Sequence, residues 1–167
     1  MLYRRIRNQL TRYCLIGECL WELLRARRAL RSFPFEDTAR MLNVPLASVQ
    51  EITEPEQIVR QVRGALGSIH RRIPWRPTCL MRAIAANRLL ARRMIASNLV
   101  LSVTPAAGIT VDAHAWLETC GIVVTGRGEK ARYVPIYTFT NAPATSSKAG
   151  TKDVQNAPEE RDRPCSL

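Results

Sequence analysis

The chain has 167 residues, 46% hydrophobic but only 6% aromatic, which suits one domain with an aliphatic core and some chain to spare. Its formal charge is +11, almost all from Arg because Lys occurs only at 130, 148 and 152, and such a field attracts acidic peptides, nucleic acids, partners or membrane surfaces. Five Cys without a C-x-x-C pair and two His exclude the usual zinc spacings, so no metal and no cofactor is expected.

The charged N-terminus leaves no h-region for a signal peptide. Residues 3–32 then read as a helix, with Ile6, Leu10, Tyr13, Cys14, Leu20, Trp21 and Leu24 recurring at helical spacing. Its longest apolar stretch, Tyr13 to Leu24, contains Glu18 and Glu22 and is too short for a transmembrane segment. Pro34 breaks the helix, and a second short helix is expected from Phe35 to Leu42. A third runs from Glu54 to His70, with Thr53 as its cap and Pro55 in its first turn. Two prolines then hold Ile73 to Thr78 extended. From Cys79 to about Met94 the pattern is helical again, with Thr78 placed as N-cap and Cys79 in the first turn.

Beyond Met94 the period becomes two. Strands are expected at Asn98–Val103, Thr110–Glu118, Ile122–Thr125 and Arg132–Phe139, with Cys120-Gly121 as a turn. In the second strand Val111, Ala113, Ala115 and Leu117 share one face. Asp112, His114, Trp116 and Glu118 share the other. Residues 141–167 are rich in Ala, Pro, Ser, Thr and charge and have too little apolar surface to order themselves. The expected organisation is an N-terminal helical segment at 1–52, a core at 53–140 and a tail at 141–167, in an α+β fold. Free thiols suit a reduced, cytoplasmic setting.

Cys79 is the sharpest chemical feature. The positive end of a helix favours a thiolate, and Arg76 and Arg82 add to that field. Backbone N–H groups of the first turn can hold an oxyanion, and Trp75 can shield the site from water. By position alone, a small buried hydrophobe is an equally good reading of this Cys. His114, 35 residues later on a strand, supplies the base that nucleophilic thiol catalysis needs. The third member, which would orient the imidazole, is open among Glu118, Asp112 and Glu129. Glu118 shares the strand face of His114.

Pro74-Trp75-Arg76-Pro77-Thr78-Cys79-Leu80, Arg82-Ala83, Leu89-Leu90-Ala91-Arg92-Arg93 and Ala113-His114-Ala115-Trp116-Leu117-Glu118 resemble the B protein of lasso peptide biosynthesis, in its leader-cleaving, transglutaminase-like part. The similarity covers about residues 20–137. It implies a transglutaminase/papain-like core, with a nucleophile at a helix N-terminus packed on a small antiparallel sheet. It also implies a cysteine protease with a Cys-His-Asp triad that removes the leader from a ribosomally made precursor peptide. Cys79 and His114 match the nucleophile and base, while the Asp has no clear match. Trp75, Thr78 and Trp116 fall in the implied substrate and oxyanion environment. The expected partners are the precursor, a separate leader-recognition protein and an asparagine-synthetase-like cyclase.

The competing reading is a non-catalytic basic protein that binds nucleic acid or an acidic partner. Nine Arg and no acid between Arg60 and Arg93 favour it. The lack of a nucleic-acid motif and the scarcity of aromatics for base stacking argue against nucleic acid.

Overall fold

The computed structural model describes residues 2–40, 42, 54–104, 112–126 and 132–141, with side chains from residue 13 onward except those of 35 and 70. Within these residues the chain forms α1 (Leu2–Ser32), α2 (Phe35–Arg40), α3 (Pro55–His70) and α4 (Cys79–Ala91). The strands β1 (Ser97–Val103), β2 (Ala113–Thr119), β3 (Ile122–Thr125) and β4 (Val134–Asn141) follow. They make one antiparallel sheet in the order β3-β2-β1-β4. The fold is α+β, with α4 lying on β1, β2 and β3, and α1 and α3 packed against α4.

The local signals act largely as expected. Thr78 caps α4: its hydroxyl accepts from the Met81 N–H at 3.2 Å, satisfying one of the donors a helix start leaves unpaired. Cys120 (φ 49°) and Gly121 (φ 67°) both take the left-handed region, the backbone of a two-residue hairpin turn. At α3 the cap differs from expectation. Glu54, at φ 63°, precedes Pro55 and makes no side-chain cap bond, and Thr53 lies outside the described residues. Helix α4 stops at Ala91, short of Met94, which itself sits at φ 56°. The second strand begins at Ala113, with residues 110 and 111 outside the described set, and β4 is displaced two residues toward the C-terminus, ending at Asn141.

The larger correction concerns α1. The apolar positions Tyr13, Trp21 and Leu24 are largely exposed, and Cys14 is exposed too. The buried face is instead Cys19, Glu22, Leu23 and Ala26. Small side chains at 19 and 26 leave room for the packing of α1, and the Glu22 carboxylate faces Arg88 of α4 and Arg92 at its C-terminal cap. Burial pushes the Cys19 thiol up to about 12. One hydrophobic core joins Cys19, Leu23 and Ala26 of α1 to Val62 and Leu66 of α3, Ile84 and Leu89 of α4, and Leu99 and Leu117 of the sheet. No described helix is long and apolar enough to cross a membrane. The tail expected at 141–167 lies outside the described residues beyond Asn141.

Candidate active site

Cys79 opens α4. Pro77 is buried and Thr78 extended (φ −66°, ψ 163°), so the chain arrives straight and turns helical at the thiol. The sulfur is half-buried against the core beside Leu80 and Met81. Arg82, one turn on, is near enough for charge to be felt: burial lowers the Arg82 pKa from its ordinary value, and a negative Cys79 raises it again. The buried Arg82 Nε has no hydrogen-bond partner among the described residues. A cation and a helix N-terminus together stabilise negative charge on a neighbouring sulfur. Trp75 is half-buried against the same core, with the Arg27 guanidinium 4.7 Å above its ring.

His114 lies near the start of β2, opposite Ser102 of β1. Along β2 the side chains of Ala115 and Leu117 join the core, while His114, Trp116 and Glu118 alternate to the other face. That face, expected to be polar, buries Trp116 and Val100. The His114 ring stacks on Tyr133 with centroids 4.9 Å apart and planes 28° apart. Its Nε2 lies 3.2 Å from the Gly126 carbonyl oxygen. Tyr133 in turn donates its hydroxyl hydrogen to Asp112 Oδ2 at 2.8 Å.

Glu118 bonds a neighbour on its own strand. Its Oε2 accepts from the Trp116 indole N–H at 3.1 Å, and four residues of strand separate its Cα from that of His114 by about 13 Å. Asp112 meets His114 only through Tyr133, and Glu129 lies outside the described residues. Cys79 and His114 are carried by elements that pack together, α4 on β2, but no hydrogen bond joins the two side chains. Gly126 and Tyr133 are the neighbours of His114 that sequence reasoning missed; neither carries a local signal, because both arrive through tertiary contact.

The arginine run is also reorganised. Arg92 and Arg25 reach Glu22 Oε1, Arg88 lies 3.9 Å from Glu22 Oε2, and Arg93 bonds Glu18 Oε2 at 2.6 Å. The acids missing from the run in sequence are supplied by α1. Arg60, Arg71, Arg72 and Arg76, in its earlier part, are exposed, and Arg60 pairs with Glu56 at 3.3 Å.

A thiol at the capped start of a helix that rests on an antiparallel sheet bearing a histidine brings together the residue types that thiol nucleophile chemistry uses. The profile of the Transglutaminase-like superfamily matches residues 20–138, and the chain belongs to that superfamily. Its members commonly have cysteine protease activity. No curated protein and no solved structure matches the chain.

Proposed function

We propose that the chain is a cysteine peptidase that removes the leader from a ribosomally synthesised lasso peptide precursor, with Cys79 as nucleophile and His114 as general base. The observation that carries the reading is Cys79 in the Thr78-capped first turn of α4, beside Arg82 and on the sheet that bears His114. The narrower assignment to lasso precursors rests on the Pro74–Leu80 and Ala113–Glu118 blocks.

In this mechanism His114 takes the thiol proton, and the sulfur attacks the scissile carbonyl, forming a C–S bond. First-turn N–H groups of α4 hold the oxyanion. The tetrahedral species collapses with cleavage of the C–N bond, and the imidazolium gives its proton to the leaving amine. Water, deprotonated by His114, then hydrolyses the thioester. Sγ and the imidazole must come within hydrogen-bond reach in the precursor-bound enzyme; such bonds commonly tighten only in the Michaelis complex. A separate leader-recognition protein would hold the precursor at high effective concentration near Cys79, and a cyclase of the same pathway would consume the freed amine.

The test is a precursor-cleavage time course followed by mass spectrometry, with wild type and Cys79→Ala, each with and without the recognition protein. Cleavage at one leader–core bond by wild type, lost in Cys79→Ala, is the expected result. Equal cleavage by both proteins would overturn the mechanism. No cleavage of any lasso precursor, alongside thiol-dependent cleavage of another peptide, would overturn the substrate assignment alone.

A further inference from the structure

We infer that the imidazole of His114 is oriented by a backbone carbonyl, that of Gly126, in the place where a Cys-His triad ordinarily holds a carboxylate or amide side chain. The inference rests on the reading of His114 as the base and names what positions it.

A carbonyl oxygen has no proton to give, so the 3.2 Å contact between His114 Nε2 and Gly126 O is an N–H···O bond with the ring as donor. That places the hydrogen of the neutral ring on Nε2 and leaves the lone pair on Nδ1. Fixing the tautomer is the main service an orienting carboxylate gives to a catalytic histidine; the wrong tautomer costs a triad enzyme about 10⁴-fold in kcat. When the ring becomes an imidazolium, the Nε2–H bond to the carbonyl persists and strengthens, because charge on a donor strengthens its hydrogen bonds.

The backbone is built to bring that carbonyl in. Gly126 follows β3 at φ +73°, and a Cβ there would lie 2.5 Å from the Ala115 carbonyl oxygen and 2.7 Å from Trp116 Cβ. Only a residue without a side chain can lie this close to β2. The bulge between Leu117 and Glu118 in the β2–β3 pairing precedes this approach. The second restraint on the ring is Tyr133, stacked on it and tied by its hydroxyl to Asp112. Gly126 and Tyr133 are positioning residues, and neither needs to touch substrate. Of the acids available by sequence, the two among the described residues bond other side chains: Glu118 Oε2 accepts from Trp116, and Asp112 Oδ2 from Tyr133.

Three measurements test this. Long-range ¹H–¹⁵N correlation spectra of the imidazole, recorded on wild type and on inactive Cys79→Ala above the His titration range, report the tautomer directly. The Nε2–H form is expected, and an Nδ1–H form would overturn the assignment whatever the cleavage results. Precursor cleavage by Asp112→Asn, Glu118→Gln and Glu129→Gln is the second measurement. Each variant is expected to keep kcat within about threefold of wild type, against the ~10⁴-fold loss that follows removal of a true triad carboxylate. A hundredfold or greater kcat loss in any one of them would give the role to that carboxylate and overturn the proposal. Tyr133→Ala is expected to lower kcat by about 10–100-fold at unchanged KM, as a misplaced base does, with Tyr133→Phe, which keeps the stack, recovering most of it. If Cys79→Ala cleaves as fast as wild type, the peptidase reading fails, and the tautomer spectrum still decides the Gly126 assignment.

Discussion

Replacing Glu22 by Gln probes how α1 is locked to α4. The Glu22 carboxylate is fully buried, and it meets Arg25 (50% exposed), Arg92 (47%) and Arg88 (17%). Gln preserves the volume, so no cavity forms, but three guanidinium groups lose their counter-charge. Removing one partner of a fully buried ion pair costs about 3–5 kcal/mol. Arg25 and Arg92 are half in water and regain hydration, so each accounts for about 0–1 kcal/mol. Arg88 cannot do so, and burial already lowers its pKa against the opposing pull of Glu22. The expected loss is therefore about 2–3 kcal/mol, below the fully buried limit. At about 2–4 °C per kcal/mol for a chain of this size, Tm falls by about 5–10 °C. Urea and thermal melts by circular dichroism measure it, and a double-mutant cycle with Arg88→Met isolates the pair. A Glu22→Gln protein within about 0.5 kcal/mol of wild type, the range of an ordinary surface change, would refute the idea that this network holds α1 to α4.

Further outcomes follow from the same structure. His114→Ala should lower kcat/KM for precursor cleavage by at least ~10³-fold with an unchanged melt, as loss of a triad base does; a drop under tenfold would remove His114 from the mechanism. Thr78→Ala should cost about 1 kcal/mol, the value of a lost cap, seen as a lower urea midpoint; an unchanged midpoint would mean the Met81 N–H is satisfied without it. Cys19, pushed up to about 12 from an ordinary value of 9.0, keeps its proton in the fold but loses it in the unfolded chain. Its stabilisation is complete below about pH 9 and falls by about 1.4 kcal/mol per pH unit as pH rises toward 12. Cys19→Ala should flatten that alkaline slope in denaturant melts, and identical slopes would refute the burial argument. Iodoacetamide at pH 8 should label exposed Cys14 and leave Cys19 unlabelled until the chain is unfolded, since only an accessible thiolate reacts.

What the sequence by itself determined was local. The Thr78 cap, the helix starting at Cys79, the Cys120-Gly121 turn and the period-two alternation of β2 depend on neighbours within a few residues. Short-range sterics and hydrogen bonds decide such features, so they were legible before any fold was known. The blocks around Cys79 and His114 also carried the superfamily. The buried face of α1 was not legible, because both sides of that helix carry apolar residues and the choice between them lies in α4. Glu22 reads as a solvated acid until Arg88 and Arg92, some seventy residues away, are folded against it. The same holds for His114. Its neighbours in sequence offered Asp112 and Glu118 as orienting groups, but a strand sends residues four apart about 13 Å from one another. The atom that meets the ring is a main-chain oxygen of Gly126, a group every residue possesses and no sequence pattern marks. Only the pairing of β3 on β2, and the close approach that a glycine permits there, decided which carbonyl it would be.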